Sequence, residues 1–289
     1  DNSINKLSKI NGLSDFGVSV LRHNKYNDKI FIGYTNTNID IIDNKGRITN
    51  ISDIKNKNIL GNKTINDVYF IDDLAYVCCG FGIVVVDMTR MEIRDTYIIG
   101  NNNTYINVND ITLYNNKLYA ATSRGVIFAD YDNPNLADHS QWQLDRSMIH
   151  DLVNYSEIET FNGRLIANYS ENKYNTDTMF VHDGTSWDYF LKDDNSIKRE
   201  IKAYDDRLIL SKHYSVMVYD KSINLLSNFA NSLEPFATTY DVNRNCYWIG
   251  DKVKSLIRMN LDGSNDRIVF NGPFNNSAFE IKAKGDQVW

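Results

Sequence analysis

Short apolar runs broken by turn residues dominate the chain, and they recur. The segment "NDVYFIDDLAYVCCGFGIVVVD" (66–87) aligns without a gap on "NDITLYNNKLYAATSRGVIFAD" (109–130). Val68 falls on Ile111, Phe70 on Leu113, Val85 on Phe128 and Gly82 on Gly125. The same grammar returns in "EIETFNGRLIANYS" (157–170), "EIKAYDDRLILSKHYSVMVYD" (200–220), "TYDVNRNCYWIGD" (239–251) and "EIKAKGDQVW" (280–289). A looser copy is "VSVLRHNKYNDKIFIGYTNTNIDIID" (18–43). Each unit reads strand, turn, strand, turn, strand ending in Asp, then a fourth strand such as "EIRDTYII" (92–99). Asn162-Gly163 and its counterparts are hairpin signals. Units start near 18, 67, 110, 157, 200, 239 and 280. A period of about 40–45 residues with four strands per unit indicates a β-propeller. The expectation is therefore all-β: one domain over 1–289, a seven-bladed β-propeller of four-stranded antiparallel blades, the last truncated at Trp289. Either residues 1–9 add a strand to that last blade, or its closing strands lie outside this chain. One helix is expected, over 146–156, where Met148, Ile149, Leu152 and Val153 would form an apolar stripe against the propeller rim.

The stretch "CCGFGIVVVD" (78–87) tests a different idea, a phosphate-binding loop. Such a loop sits between a strand and a helix, whose N-terminus faces the anion. Here Gly82 is followed by Ile83, Val84, Val85 and Val86, and four β-branched residues favour a strand. The third glycine and the phosphate-binding lysine are also missing. In the repeat Gly80 becomes Ser123 whereas Gly82 stays Gly125, so the loop is a hairpin turn whose first glycine is dispensable.

Composition narrows the function classes. Net charge is -6 and no basic block stands out, which argues against nucleic acid. No apolar stretch approaches a membrane span. Cys78, Cys79 and Cys246 are an odd set, and adjacent Cys78 and Cys79 would point to opposite faces of a strand as small packed residues. The five histidines show no metal-ligand spacing, and no serine-histidine-acid constellation is supported. No catalytic residue, metal or cofactor is assigned.

One recurrence carries more chemistry. Asp67, Asp110, Glu157, Glu200 and Glu280 stand where the first strand of each unit begins, and Thr239 breaks the series. First strands of propeller blades line the channel, so these acids would form a ring able to hold a cation or a polyhydroxylated ligand. They would equally serve as caps that accept backbone N–H bonds. A second series, Asp43, Asp87, Asp130 and Asp220, closes the third strands and suits turn formation. "LDGSND" (261–266) lacks the ligand alternation and terminal Glu of a calcium loop and reads as another turn. Asn-rich loops with Tyr34, Tyr105 and Tyr214 could offer sugar contacts, although Asn is also simply a good turn residue.

Several segments together resemble a known family: "INGLSDFGVSVL" (10–21), "ISDIKNKNILGNKTINDVYFIDDLAYVCCGFGIVVVD" (51–87), "YINVNDITLYNNKLYAATSRGVIFAD" (105–130) and "NPNLADHSQW" (133–142). They look like the N-terminal propeller of the PorZ family, part of the type IX secretion system of Bacteroidota. The resemblance implies an exported, non-catalytic propeller at the cell surface or in the periplasm, associated with the outer membrane. Implied partners are a sortase-like protein, outer-membrane barrels and the glycan of anionic lipopolysaccharide. A second class is also similar, the ligand-sensing periplasmic propellers of hybrid two-component regulators. Their recurrent second-strand Trp is replaced here by Tyr76, Tyr119, Ile166 and Ile209.

Overall fold

The computed structural model describes residues 7–171, 173–230 and 233–268, with the backbone of 283–284 and 287–288. The chain divides into two compact units, Asp1–Ile197 and Lys198–Trp289. In the first unit four antiparallel sheets of four strands follow one another, spanning 18–51, 65–97, 108–144 and 155–190. We number them blades 1 to 4. The second unit holds blade 5 (198–229) and blade 6 (235–268), built the same way. In every blade the strands pair in sequence order, each with the next.

The expected strand grammar holds, but the blade count does not. Among the described residues there are six four-stranded blades, not seven. Among the described residues, the unit starting at residue 280 shows a ladder of Ala283–Lys284 with Gln287–Val288. Two residues per strand give a hairpin, and a blade needs two further strands. Of residues 1–9, those described form no strand; a short 3-10 turn occupies Lys9–Asn11.

The helix expected at 146–156 is also absent. Asp145 accepts the Ser147 amide at 2.9 Å, and the Val153 carbonyl accepts the Gly125 amide at 2.7 Å. The segment is thus committed to a turn and then to its neighbour. Its apolar residues separate: Met148 is buried, whereas Leu152 is 61% exposed. A four-residue helix forms instead at Asp53–Asn56, between blades 1 and 2.

Within each unit, cores lie between successive blades. Phe31, Ile39 and Ile41 of blade 1 pack with Ile65, Val68 and Val77 of blade 2. Blades 2 and 3 share Tyr76, Cys78, Val85, Ile111 and Leu118. Cys79 belongs to the first core and Cys78 to the second, so the adjacent thiols do face opposite ways. The "CCGFG" stretch is a hairpin joining Leu74–Cys79 to Gly82–Asp87. Both glycines are demanded by close approach: a Cβ on Gly82 would lie 2.2 Å from the Tyr97 carbonyl oxygen, and one on Gly80 would lie 2.6 Å from that of Asn62. Gly80 is therefore not dispensable here, because the loop before blade 2 closes on it.

Candidate functional site on the first strands

Each first strand carries a β-bulge two residues in, and the bulge defines which positions are equivalent. Paired residues shift between Val18 and Val20, Ile65 and Asp67, Tyr155 and Glu157, Lys198 and Glu200, and Pro235 and Ala237. In blade 3 Val108 faces Thr122 while Asp110 faces Ala121. The acid series therefore occupies one structural position, immediately after the bulge. Its members in blades 1 and 6 are Val20 and Ala237; Thr239 lies two residues too far along. Glu280 lies outside the described residues.

The carboxylates at this position are engaged by the protein. Asp110 accepts the amide of Ile111 at 2.8 Å with one oxygen and that of Ile158, on blade 4, at 2.9 Å with the other. In the second unit Glu200 repeats the second contact: it accepts the amide of Thr238, on blade 6, at 2.9 Å, with Lys202 Nζ 3.5 Å away. Ile158 and Thr238 each follow the equivalent position of the next blade. Asp67 accepts its neighbour Val68 at 2.7 Å and pairs with Arg22 of blade 1 at 2.9 Å. Glu157 is half-buried beside Asn168, its partner across the strands.

The bulged residue just before the acid makes a second link. Asn66 donates to the Val108 carbonyl at 2.6 Å, and Asn109 donates to that of Tyr155 at 2.6 Å. Arg199 donates to that of Pro235 at 2.9 Å. Each bond reaches the first residue of the next blade's first strand. The repeated Asn-Asp dipeptide at 66–67 and 109–110 is the sequence trace of this double link.

Burial pushes the Asp110 carboxyl well above the usual carboxylate range, and the nearby charge of Asp67 adds to the shift. The two amide bonds pull the other way without prevailing. Burial likewise pushes up the Cys78 thiol, with Asp110 and Asp67 contributing, which leaves it a poor nucleophile. Among the described residues no group of three or more His, Cys, Asp or Glu is arranged to hold a metal ion.

The other sequence candidates are turn and core residues. Asp43, Asp87 and Asp220 each accept two backbone amides of the following turn, and Asp262 accepts that of Ser264. Asp130 pairs with Lys117 at 3.7 Å. Tyr34 is fully buried and donates to Asp40 at 2.6 Å. Tyr105 and Tyr214 are about half exposed, the latter stacked on His213. A polar cluster on blade 1 has no counterpart in the repeat. Buried Asp15 accepts Lys55 at 2.7 Å and Asn36 at 2.6 Å, tying the leading segment to the short helix. Those bonds hold its carboxyl far below the usual range.

Residues 1–143 match the family model for the N-terminal β-propeller domain of PorZ, of the type IX secretion system. The chain is a PorZ-like β-propeller. No curated protein matches the sequence. Among solved structures, PorZ of Porphyromonas gingivalis is described as an essential bacterial surface component of the type IX secretion system. It superposes with a TM-score of 0.74 at 19% identity, covering 98% of this chain and 36% of that one. The PorZ-like chain thus spans little more than a third of that protein's length. The extracellular domain ascribed to a hybrid two-component system of B. thetaiotaomicron gives 0.67 at 14% identity, over 96% of this chain and 39% of that one. That of a one-component system from the same organism gives 0.65 at 14% identity, over 90% and 36%. At such identities the structures show a shared propeller fold.

Proposed function

We propose that the chain is a non-catalytic scaffold at the cell surface, acting in a type IX secretion apparatus as PorZ does in P. gingivalis. The observation that carries this reading is the match of residues 1–143 to the PorZ propeller family. The bonds from Asp110 and Glu200 to amides of the next blade support it, because they employ these carboxylates in joining blades. None of the helices among the described residues is long and apolar enough to cross a membrane, which is compatible with an exported domain. Partners in this reading are a sortase-like protein, outer-membrane barrels and the glycan of anionic lipopolysaccharide.

The test is deletion of the gene followed by complementation with the full-length protein. Cargo carrying type IX signals should fail to reach the surface in the deletion strain and recover on complementation. Normal cargo export without the protein would overturn the scaffold role. A second reading, a ligand-sensing extracellular propeller of a two-component regulator, is favoured by the superposition over 96% of the chain. Under it, deletion would change transcription of a substrate-utilisation operon while leaving export intact.

A further inference from the structure

A cavity of about 480 Å³ opens between the Asp53–Asn56 helix and the outer strand of blade 2, Glu92–Tyr97. Its size falls in the range of ligand sites, about 300–1,000 Å³. The floor is apolar: Ile54, Phe81 and Val84 are at most 2% exposed and belong to the core shared by blades 1 and 2. Half-buried Ile59 and Ile93 extend it toward the mouth.

The mouth carries opposite charges, Asp53 and Lys57, four residues apart. An acid and a base at that spacing on a helix ordinarily attract each other. Here the helix stops at Asn56, and Lys57 is the extended C-cap with φ -70 and ψ 131. Among the described residues neither side chain has a hydrogen-bond or ion-pair partner. The other lysines of the segment are occupied: Lys55 pairs with Asp15, and Lys63 caps the carbonyls of Ile54, Lys55 and Lys57 at 2.9–3.1 Å. Two unpaired charges of opposite sign thus flank an apolar floor.

This chemistry selects among occupants. An anionic lipid headgroup would meet Asp53 at the mouth. A sugar would leave its hydroxyls unpaired against the apolar floor of Ile54, Phe81 and Val84. A strand added along the blade edge would meet a bulge at Arg94, where the pairing shifts between Val85 and Val86 and the Thr96 amide turns to Asp95. What remains is a chain segment that inserts side chains without pairing its backbone. We propose that this cavity docks a short peptide segment of a partner protein, two bulky apolar side chains entering between a basic and an acidic residue. The site rests on the scaffold reading and names the kind of partner contact it would use.

Purified domain and synthetic peptides test the site without testing secretion, so the two failures are distinguishable. The probes are Ac-GKLFEG-NH2, its charge-reversed form Ac-GELFKG-NH2, and the uncharged Ac-GSLFSG-NH2, followed by amide NMR shifts. Shifts should concentrate at Ile59, Ile93 and Thr96, and one charged peptide should bind about fivefold more tightly than the other, as two exposed ion pairs allow. The exposed double substitution Asp53→Lys with Lys57→Asp should invert that preference while leaving the spectrum of the remaining blades unchanged. Thr96→Trp, which fills the mouth, should abolish binding by all three. Equal binding before and after the charge swap overturns the proposal. So does binding that survives Thr96→Trp, or shifts at these residues produced only by phosphatidylglycerol vesicles, or none with any peptide.

Discussion

Blade 3 and blade 5 are built on one pattern and solve its two awkward points differently. In blade 3 the second hairpin is entered through Gly125, at φ +105, with the Asp151 carbonyl oxygen only 2.1 Å from where a Cβ would stand. In blade 5 the matching position is Ser215, whose carbonyl closes a hairpin onto the Lys212 amide at 2.8 Å. After the bulge, Asp110 meets two amides and, among the described residues, no cation, whereas Glu200 meets an amide with Lys202 alongside. The repeat thus specifies where a strand turns and where a carboxylate links to the next blade. What surrounds each point decides whether glycine is compulsory and whether the charge is comfortable.

The hairpins should show the largest difference. Gly125→Ala pushes a methyl into backbone at a positive φ, and the cost should be about 3 kcal/mol or more. Ser215 is buried but its backbone is not left-handed, so Ser215→Ala should cost no more than about 1 kcal/mol. Urea denaturation of the two variants measures both, and equal costs would remove the distinction.

The acids come next. Asp110→Ala strands the Ile111 and Ile158 amides, and Glu200→Ala strands that of Thr238. Each should cost about 2 kcal/mol, the scale of an unsatisfied buried donor. Asp110 should also show a pH signature. Its carboxyl is raised in the folded state, so the folded protein holds that proton more tightly than the unfolded chain does. Stability from this group is complete below the ordinary carboxylate value of about 4 and declines as pH rises through the raised value. The turn and ion-pair acids shifted downward, such as Asp183 at about 2, finish titrating well below pH 5 and contribute nothing to the slope above it. Between pH 7 and pH 5 the wild type should therefore gain stability. Asp110→Asn should flatten that gain, and a slope unchanged in the variant would assign it elsewhere.

The smallest effect concerns cations. With each placed carboxylate of Asp67, Asp110 and Glu200 already accepting backbone amides, millimolar calcium should move the melting temperature no more than ionic-strength-matched sodium chloride. A calcium-specific rise lost in Asp110→Asn would restore the acids as a ligand site.

Much of this was legible in the sequence, and the misses have physical causes. Unit starts were readable because strand one, its turn and strand two recur with little variation. Counting starts nevertheless overstated the blades, since among the described residues the unit starting at 280 shows a two-stranded ladder rather than a four-stranded sheet. Spacing aligns Thr239 with the acids, but the bulge at Phe236 sets the register, and Ala237 takes the place. Met148, Ile149, Leu152 and Val153 have helical spacing, yet side-chain capping by Asp145 and a backbone bond to Gly125 outweigh it. The Asn66 and Asn109 links were hidden, because Asn before Asp reads as a turn until the bulge aims its amide at the next blade.

The most direct measurement of the link between blades is the Ile158 amide followed by NMR from pH 3 to pH 8. If Asp110 accepts that proton, the Ile158 resonance should titrate with a midpoint well above the usual carboxylate value, and the transition should vanish in Asp110→Asn. An Ile158 amide that does not respond to pH, or that responds identically in the variant, would contradict the account.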